Sequence, residues 1–121
     1  MALVLCTGTE ASLMKTRQFI LEQAGHTVFS VSSSQELETI CSKHNFEVAV
    51  IGQNTPAPLK QEHMALIRRL CPAIKVLELY PPYVGKILDH ADAWLEMPPE
   101  RPELFVRYVD RLAASNTASP T

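Results

Sequence analysis

The segment from Phe46 to Gly52, FEVAVIG, constrains the fold of this chain more than any other. It is short and almost continuously apolar, and it ends at a glycine. A run of this kind is typical of a central parallel strand that is covered on both faces, whereas a strand with one face in water alternates polar and apolar residues. Since parallel strands need long crossover connections, the segment predicts an α/β domain.

Apolar runs and segments with helical spacing alternate along the rest of the chain. In the first predicted helix, Arg17 and Ile20 are among the residues near helical spacing. Gly25 follows where a C-terminal cap is expected, and Ser33 with Glu36 forms a capping box for the second helix. Five strand–helix units predict a single doubly wound parallel sheet with right-handed crossovers. The predicted strands are residues 2–6, 26–31, 46–51, 74–80 and 93–97, and the predicted helices are residues 10–24, 33–45, 59–71 and a last one from Pro102.

The fourth connection is too short for a full helix. Ten residues separate Tyr80 from Ala91. They include Pro81, Pro82 and Gly85, which all oppose helix formation. We therefore expect no helix longer than about two turns in this segment.

The composition predicts one domain, residues 1–114, followed by a small polar tail, residues 115–121, that we expect to be disordered. The net charge of −2, with lysine and arginine spread along the chain, gives no electrostatic argument for binding nucleic acid or an anionic membrane. No apolar run approaches the roughly 18 residues of a membrane span, and the N-terminus lacks the basic region of a signal peptide. A cytoplasmic location is the default expectation.

Cysteine and histidine show no spacing typical of a metal site. The cysteines are odd in number, widely spaced and without a CxxC pair, which argues against a disulfide framework and a zinc site. Without HxxH or HExxH spacing, we expect the histidines at the surface or half-buried, and we expect no cofactor. Two of the cysteines, Cys6 and Cys41, are expected as buried reduced thiols. The third cysteine is Cys71, and the histidines are His26, His44, His63 and His90.

Residues 91–104, ADAWLEMPPERPEL, resemble a segment of the receiver domain of two-component response regulators, in which a strand with an aromatic residue ends in Lys-Pro before a helix. Trp94 matches the switch aromatic of that family, and Met97 stands for the lysine. Pro98 matches a proline whose preceding peptide bond is usually cis. The strand spacing and Pro56 extend the resemblance over nearly the whole chain. It implies a flavodoxin-like, receiver-like sheet with strand order 2-1-3-4-5 and a shortened fourth helix.

The resemblance also implies a phosphoryl pocket at the carboxyl ends of the strands, where open α/β sheets bind ligands. The sequence departs from the family at every position of that pocket. Magnesium prefers carboxylates and other oxygen ligands, and aspartyl phosphate needs a nucleophilic carboxylate. We therefore interpret the pocket as degenerate. Thr7 and Gly8 stand for the two acids that hold magnesium, Gly52 for the phosphoacceptor aspartate, Tyr80 for the switch hydroxyl and Met97 for the lysine.

This interpretation predicts a stand-alone pseudo-receiver of bacterial two-component signalling. We expect it not to be an enzyme, and to act by binding a protein partner or a second copy of itself. The candidate interaction surface lies beside the shortened fourth segment and contains Tyr83, Trp94 and Tyr108. Exposed aromatic patches often mark partner surfaces. Alternatively, these rings fill the space that the shortened helix leaves.

Two other functions remain open at this point. Cys6 stands at the end of the first strand, which resembles the phosphocysteine B subunits of sugar phosphotransferase systems, where loop amides would lower the pKa of the thiol. Against this, the acidic Glu10 would repel phosphate, and Ser12 stands where cysteine phosphatases have arginine. We expect Glu10 itself to face water in the first turn of its helix. The second alternative is a small-ligand sensor that uses the vacated pocket.

Glu78 is an unusual residue for its position, because it lies between two leucines in a strand that should be covered on both faces. An ionised carboxylate there needs a partner or a raised pKa. One interpretation pairs Glu78 with Lys86 in the altered pocket. The other places Glu78 at an edge or strand end, where it reaches solvent.

Overall fold

Five parallel strands form one sheet in the computed structural model, which describes residues 2–101 and 103–117. The strands are β1 (Leu3–Thr7), β2 (Thr27–Val31), β3 (Val48–Ile51), β4 (Lys75–Tyr80) and β5 (Ala93–Glu96). Their order is β2-β1-β3-β4-β5, which confirms the predicted sheet. Residues 4–7 of β1 pair in register with residues 48–51 of β3, so the order reverses between these two strands.

Four helices cover the sheet: α1 (Ala11–Gln23), α2 (Ser34–Cys41), α3 (Ala57–Leu70) and α4 (Glu103–Thr117). α4 runs three residues into the segment that the composition predicts to be disordered. The rest of that tail, residues 118–121, and the predicted helix start at Pro102 lie outside the described residues.

α2 ends at Cys41, four residues before its predicted end near Asn45. The chain tightens there, because the Lys43 amide donates to the Ile40 carbonyl at 3.1 Å. The ring of His44 leaves the helix direction and packs on the ring of Phe29, with 4.5 Å between centroids. His44, which was predicted to lie in the last turn of the helix, thus makes an aromatic contact with β2 instead.

Each face of the sheet has its own apolar cluster. Leu21 of α1 and Val109 of α4 belong to the cluster on one face, and Leu37 of α2 and Ile67 of α3 belong to the cluster on the other. Each such fully buried aliphatic side chain contributes about 1.5–3 kcal/mol relative to an exposed one. The continuous apolar character of β3 follows, because its side chains alternate between two buried faces.

The predicted caps of the first two helices are confirmed. Gly25 adopts a φ of 97°, a left-handed conformation that favours glycine. Ser33 caps α2 by accepting a hydrogen bond from the Glu36 amide at 3.1 Å. The Glu36 carboxylate reaches one residue further back than in a standard capping box, since it accepts from the Ser32 amide at 2.9 Å. These hydrogen bonds lower the pKa of the exposed Glu36 carboxyl.

His26 joins the two ends of the domain. The Ala2 amide donates to Nδ1 of His26 at 3.0 Å, so Nε2 carries the ring proton and donates to the Asp110 carboxylate at 2.6 Å. His26 is buried, which corrects its expected position at the surface or half-buried. The burial is possible because both ring nitrogens are paired.

Candidate functional site

The structure brings Thr7, Gly8 and Gly52 together at the carboxyl ends of β1 and β3. The Gly52 amide donates to the Thr7 carbonyl at 2.9 Å. One strand further along, the Met97 amide donates to the Tyr80 carbonyl at 2.8 Å. All five predicted pocket residues therefore lie along the same end of the sheet. The Met97–Pro98 peptide bond is cis, as the resemblance implies.

The side chain of Arg17 fills the space beside Gly52. Arg17 lies on α1 and is only 5% exposed. A β-carbon on Gly52 would lie 2.7 Å from Nη1 of Arg17 and 2.9 Å from the Thr7 carbonyl oxygen, both closer than real β-carbons come to other atoms. Nη2 of Arg17 donates to the side-chain oxygen of Gln53, the residue that follows Gly52. A guanidinium therefore occupies the place where any side chain at Gly52 would project.

The environment of Arg17 is electrostatically unusual. Burial lowers the pKa of Arg17, and the neighbouring Cys6 and Glu10 oppose that shift. Because an arginine in a protein keeps its proton even after such a shift, the guanidinium places a fixed positive charge at the strand ends. The sequence signal for this arrangement was the position of Arg17 among apolar residues on the core-facing stripe of α1.

Cys6 does not have the environment of a phosphocysteine. β1 extends one residue beyond it, and its side chain belongs to the apolar cluster on the α1–α4 face and is 1% exposed. Burial raises the pKa of Cys6 to about 12, with the charge of Arg17 opposing the shift only in part. A nucleophilic thiol needs a lowered pKa and access to substrate. The structure therefore contradicts the phosphocysteine interpretation of Cys6.

Glu10 lies at the exposed start of α1, as expected. Its carboxylate accepts a hydrogen bond from Nδ2 of Asn54 at 2.9 Å and one from the hydroxyl of Ser12 at 3.4 Å. Glu10 and Asn54 line an open cleft of about 640 Å³, which Tyr83 and Val84 also line. In the part of the chain that the structure describes, no three His, Cys, Asp or Glu side chains group as a metal site requires.

Glu78 pairs with Lys60 of α3, so the predicted partner Lys86 is wrong, and the solvent-facing interpretation of Glu78 is wrong too. Nζ of Lys60 lies 2.8 Å from Oε2 of Glu78 and 2.9 Å from the Leu79 carbonyl oxygen. The two side chains are 1% and 0% exposed. Lys86 instead lies over the ring of Trp94, at 4.9 Å from its centroid. Lys60 is the partner because Glu78 faces the layer of α2 and α3, and Lys60 lies on α3.

Glu78 also holds the segment of residues 81–92, all of which the structure describes and none of which is helical. The prediction that this segment contains at most two helical turns is thus confirmed. The Glu78 carboxylate accepts hydrogen bonds from the Ile87 amide at 2.9 Å and the Leu88 amide at 2.8 Å. The indole of Trp94 donates to the Leu88 carbonyl at 2.9 Å. A buried carboxylate therefore anchors this connection to the sheet.

The three aromatic residues of the predicted interaction surface differ in exposure. Tyr83 is 85% exposed and stands next to the exposed Val84. Trp94 is half-buried and packs on the α2–α3 face, whereas Tyr108 is half-buried and packs on the α1–α4 face. Trp94 of β5 and Tyr108 of α4 thus lie on opposite faces of the sheet, and Tyr83 is the member that projects into solvent.

His63 was not expected in the core, and the structure corrects that prediction. It lies on α3 with 0% exposure, and neither ring nitrogen has a hydrogen-bond partner among the residues that the structure describes. Burial lowers the pKa of His63. Its position three residues after Lys60, on the same face as Met64 and Ile67, is the sequence signal that predicts this burial.

Solved structures that resemble this chain are receiver domains. The response regulator receiver domain protein from Clostridium thermocellum matches with a TM-score of 0.82 and 19% identity over 98% of both chains. The beryllofluoride-activated NtrC4 receiver domain dimer matches with a TM-score of 0.79 and 21% identity, over 96% of this chain and 99% of that chain. The complex of histidine kinase ThkA with response regulator protein TrrA matches with a TM-score of 0.74 and 16% identity, over 93% of this chain and 98% of that chain.

No family model matches the sequence, and no curated protein matches it. At identities of this level, the likeness to solved structures establishes the fold alone. The chain has the flavodoxin-like fold of response-regulator receiver domains. Within the described residues, no helix is both long enough and apolar enough to cross a membrane.

Proposed function

We propose that this protein is a pseudo-receiver, a receiver-like signalling domain that works without phosphorylation and binds a protein partner or a second copy of itself. It is not an enzyme, and it acts in the bacterial cytoplasm as part of two-component or related signalling. The observation that carries this proposal is the guanidinium of Arg17 beside Gly52. The receiver fold supports the signalling role, since similar structures include a complex with a histidine kinase and a receiver dimer.

The charge at the strand ends opposes the chemistry of a phosphorylated receiver. Thr7, Gly8 and Gly52 offer no carboxylate, and Arg17 supplies a positive charge at the same place. A fixed cation repels Mg²⁺, and the metal needs oxygen ligands that these residues lack. Phosphoryl transfer to this site therefore lacks both its carboxylate acceptor and the metal that assists it.

The anchored segment of residues 81–92 supports a surface of constant shape. Glu78 holds the Ile87 and Leu88 amides, and its own charge is balanced by Lys60. Moving the segment would take the two amides away from the buried Glu78 carboxylate, and leaving a buried charged group without its hydrogen bonds is unfavourable by more than about 1–3 kcal/mol. We therefore infer that the surface around Tyr83 keeps the same shape at all times. Trp94 of β5 and Tyr108 of α4 complete it at the edge of the sheet.

Incubation with acetyl phosphate and magnesium, followed by intact-mass measurement, tests the absence of phosphorylation. We expect no increase of about 80 Da, the mass of a phosphoryl group. A hydroxylamine-labile adduct on the wild-type protein would overturn the proposal, because it would show that an acid such as Glu10 has taken the role of the acceptor. A receiver domain with an intact acidic pocket, treated in parallel, confirms that the reagent is active.

The open cleft favours a second candidate function, that of a small-ligand sensor. Its wall combines the polar side chains of Glu10, Gln53 and Asn54 with the exposed ring of Tyr83. Its volume of about 640 Å³ lies within the usual range of small-molecule sites. A ligand there would contact the same Tyr83 that we assign to the partner surface, so ligand and partner would compete.

A further inference from the structure

Two free thiols meet where α2 and α3 end. Cys41 is the last residue of α2, and Cys71 directly follows α3. Sγ of Cys71 lies 4.0 Å from the carbonyl oxygen of Cys41, and both residues line the same surface pocket. Both cysteines are unpaired by any disulfide. The two helices run in the same direction beside each other, so their final residues are brought to the same end of the sheet, opposite the Gly52 pocket.

The two cysteines differ in accessibility. Cys41 is buried, whereas Cys71 is half-exposed. A surface pocket of about 350 Å³ is lined by both cysteines together with His44, Phe46 and Pro72. A small oxidant therefore has a route to Cys71, with Cys41 directly behind it. By contrast, Cys6 belongs to the apolar cluster on the other face of the sheet.

We propose that Cys41 and Cys71 form a modification site, which hydrogen peroxide oxidises to an intramolecular disulfide. The inference is independent of the proposed function, since it concerns the opposite end of the sheet. Intracellular disulfides that do form are usually transient or redox-sensing. The proposed bond belongs to that class.

The accessible thiol reacts first. The sulfur of Cys71 attacks one peroxide oxygen, the O–O bond breaks, and one water leaves, so that Cys71 becomes a sulfenic acid. Burial raises the pKa of Cys41 to about 12, and contact with the Cys71 thiol adds to the shift, so Cys41 stays protonated until its neighbour is oxidised.

The buried thiol then completes the bond. The sulfur of Cys41 attacks the sulfur of the sulfenic acid, and the S–O bond breaks. The departing hydroxide takes the Cys41 proton and leaves as a second water. Two thiols have then lost two electrons and two protons to one peroxide molecule. The disulfide joins two residues that lie 30 positions apart and closes a loop that contains β3 and α3. Such cross-links stabilise a fold mainly by restricting its unfolded state.

The test is to treat the full chain with hydrogen peroxide and then count free thiols by alkylation in denaturant with mass measurement. The reduced protein carries three thiols. We expect oxidation to leave one, with non-reducing peptide mapping that links Cys41 to Cys71 and full reversal by dithiothreitol. The oxidised protein should also melt at a higher temperature than the reduced one.

Two variants make the outcome specific. Cys6→Ser should still lose both remaining thiols, whereas Cys71→Ser should keep both of its thiols under the same treatment. Circular dichroism on each variant confirms folding. The proposal is overturned if three thiols survive in the wild type, if Cys71 proceeds to sulfinic acid without a cross-link, or if the bond joins two chains or includes Cys6.

Discussion

The guanidinium of Arg17 packs directly against Gly52. A β-carbon at position 52 would lie only 2.7 Å from Nη1 of Arg17. The fit explains why a glycine follows β3 in this chain. It also means that a substitution at Gly52, after β3, should cost more stability than one at Gly8, after β1.

Gly52→Ala should destabilise the protein by about 1–3 kcal/mol, the usual result of forcing a methyl group into a packed site. The matched control is Gly8→Ala, because the nearest neighbours of a β-carbon there are side-chain atoms, at 3.3 Å for Met14 and 3.8 Å for Nη1 of Arg17. Urea unfolding of both variants measures the difference. Replacing the guanidinium by a shorter, neutral side chain with Arg17→Met should recover part of the loss in Gly52→Ala, although the Thr7 carbonyl still obstructs the methyl group. Equal stability of the two alanine variants would contradict this account of the site.

Glu78→Gln should cost about 3–5 kcal/mol of stability, since it leaves the charge of Lys60 buried without its partner. Hydrogen exchange should show the Ile87 and Leu88 amides opening faster than the amides of β3. The double variant Lys60→Met with Glu78→Gln should lose less than the sum of the single variants, because no charge is then stranded.

An exposed ion pair provides the control for Glu78. Arg69 and Glu38 lie 3.6 Å apart with both side chains largely exposed, so Glu38→Gln should change stability by less than about 1 kcal/mol. If Glu78→Gln and Glu38→Gln have similar effects, then Lys60 and Glu78 do not hold the connection between β4 and β5.

Stability should fall as the pH drops below about 6.5, the pKa of an unperturbed histidine. His63 is buried and its pKa is lowered, so between its folded-state pKa and about 6.5 the unfolded chain binds a proton that the folded protein does not. Protonation therefore favours unfolding in that range, and the loss is complete below the folded-state pKa. His63→Leu should flatten this dependence in thermal melts, whereas the exposed His90→Gln should not. An unchanged pH profile in His63→Leu would show that other groups cause the acid sensitivity.

Tyr83→Glu should reduce self-association at micromolar concentration in sedimentation experiments, because it places a charge at the most exposed aromatic residue of the described chain. Phe19→Glu is the matched control, since Phe19 is also largely exposed but lies on α1, away from residues 81–92. A two-fold dimer is the simplest closed arrangement for a surface that binds its own copy. A wild type that remains monomeric under these conditions would argue against self-association through Tyr83, as would equal effects of the two variants.

The fold was predictable because apolar runs, prolines and glycines mark the strands and turns of this chain closely. The details of the site were less accessible. The spacing of Arg17 on an apolar stripe indicates burial, but its long side chain has several possible destinations, and only the packing of α1 shows that it ends beside Gly52. Similarly, the leucines beside Glu78 left both its burial and its exposure at a strand end open, and its partner Lys60 lies 18 residues earlier on another element.

The contact of Cys41 with Cys71 could not be obtained from sequence spacing. They lie 30 positions apart, with a strand and a helix between. Their meeting depends on how α2 and α3 lie against the sheet, which is a property of tertiary packing. Sequence reasoning does identify Cys41 as a buried thiol, and the structure adds its neighbour.

The hydrogen bond between His26 and Asp110 has a consequence for synthesis on the ribosome. It joins residues 84 positions apart, and its histidine lies next to the first strand of the sheet. Until α4 has emerged, the Nε2 proton of His26 lacks its acceptor Asp110, and the part of the sheet that α4 covers stays exposed. We therefore expect nascent chains that stop before residue 103 to remain sensitive to protease, and the native fold to close only once α4 is available.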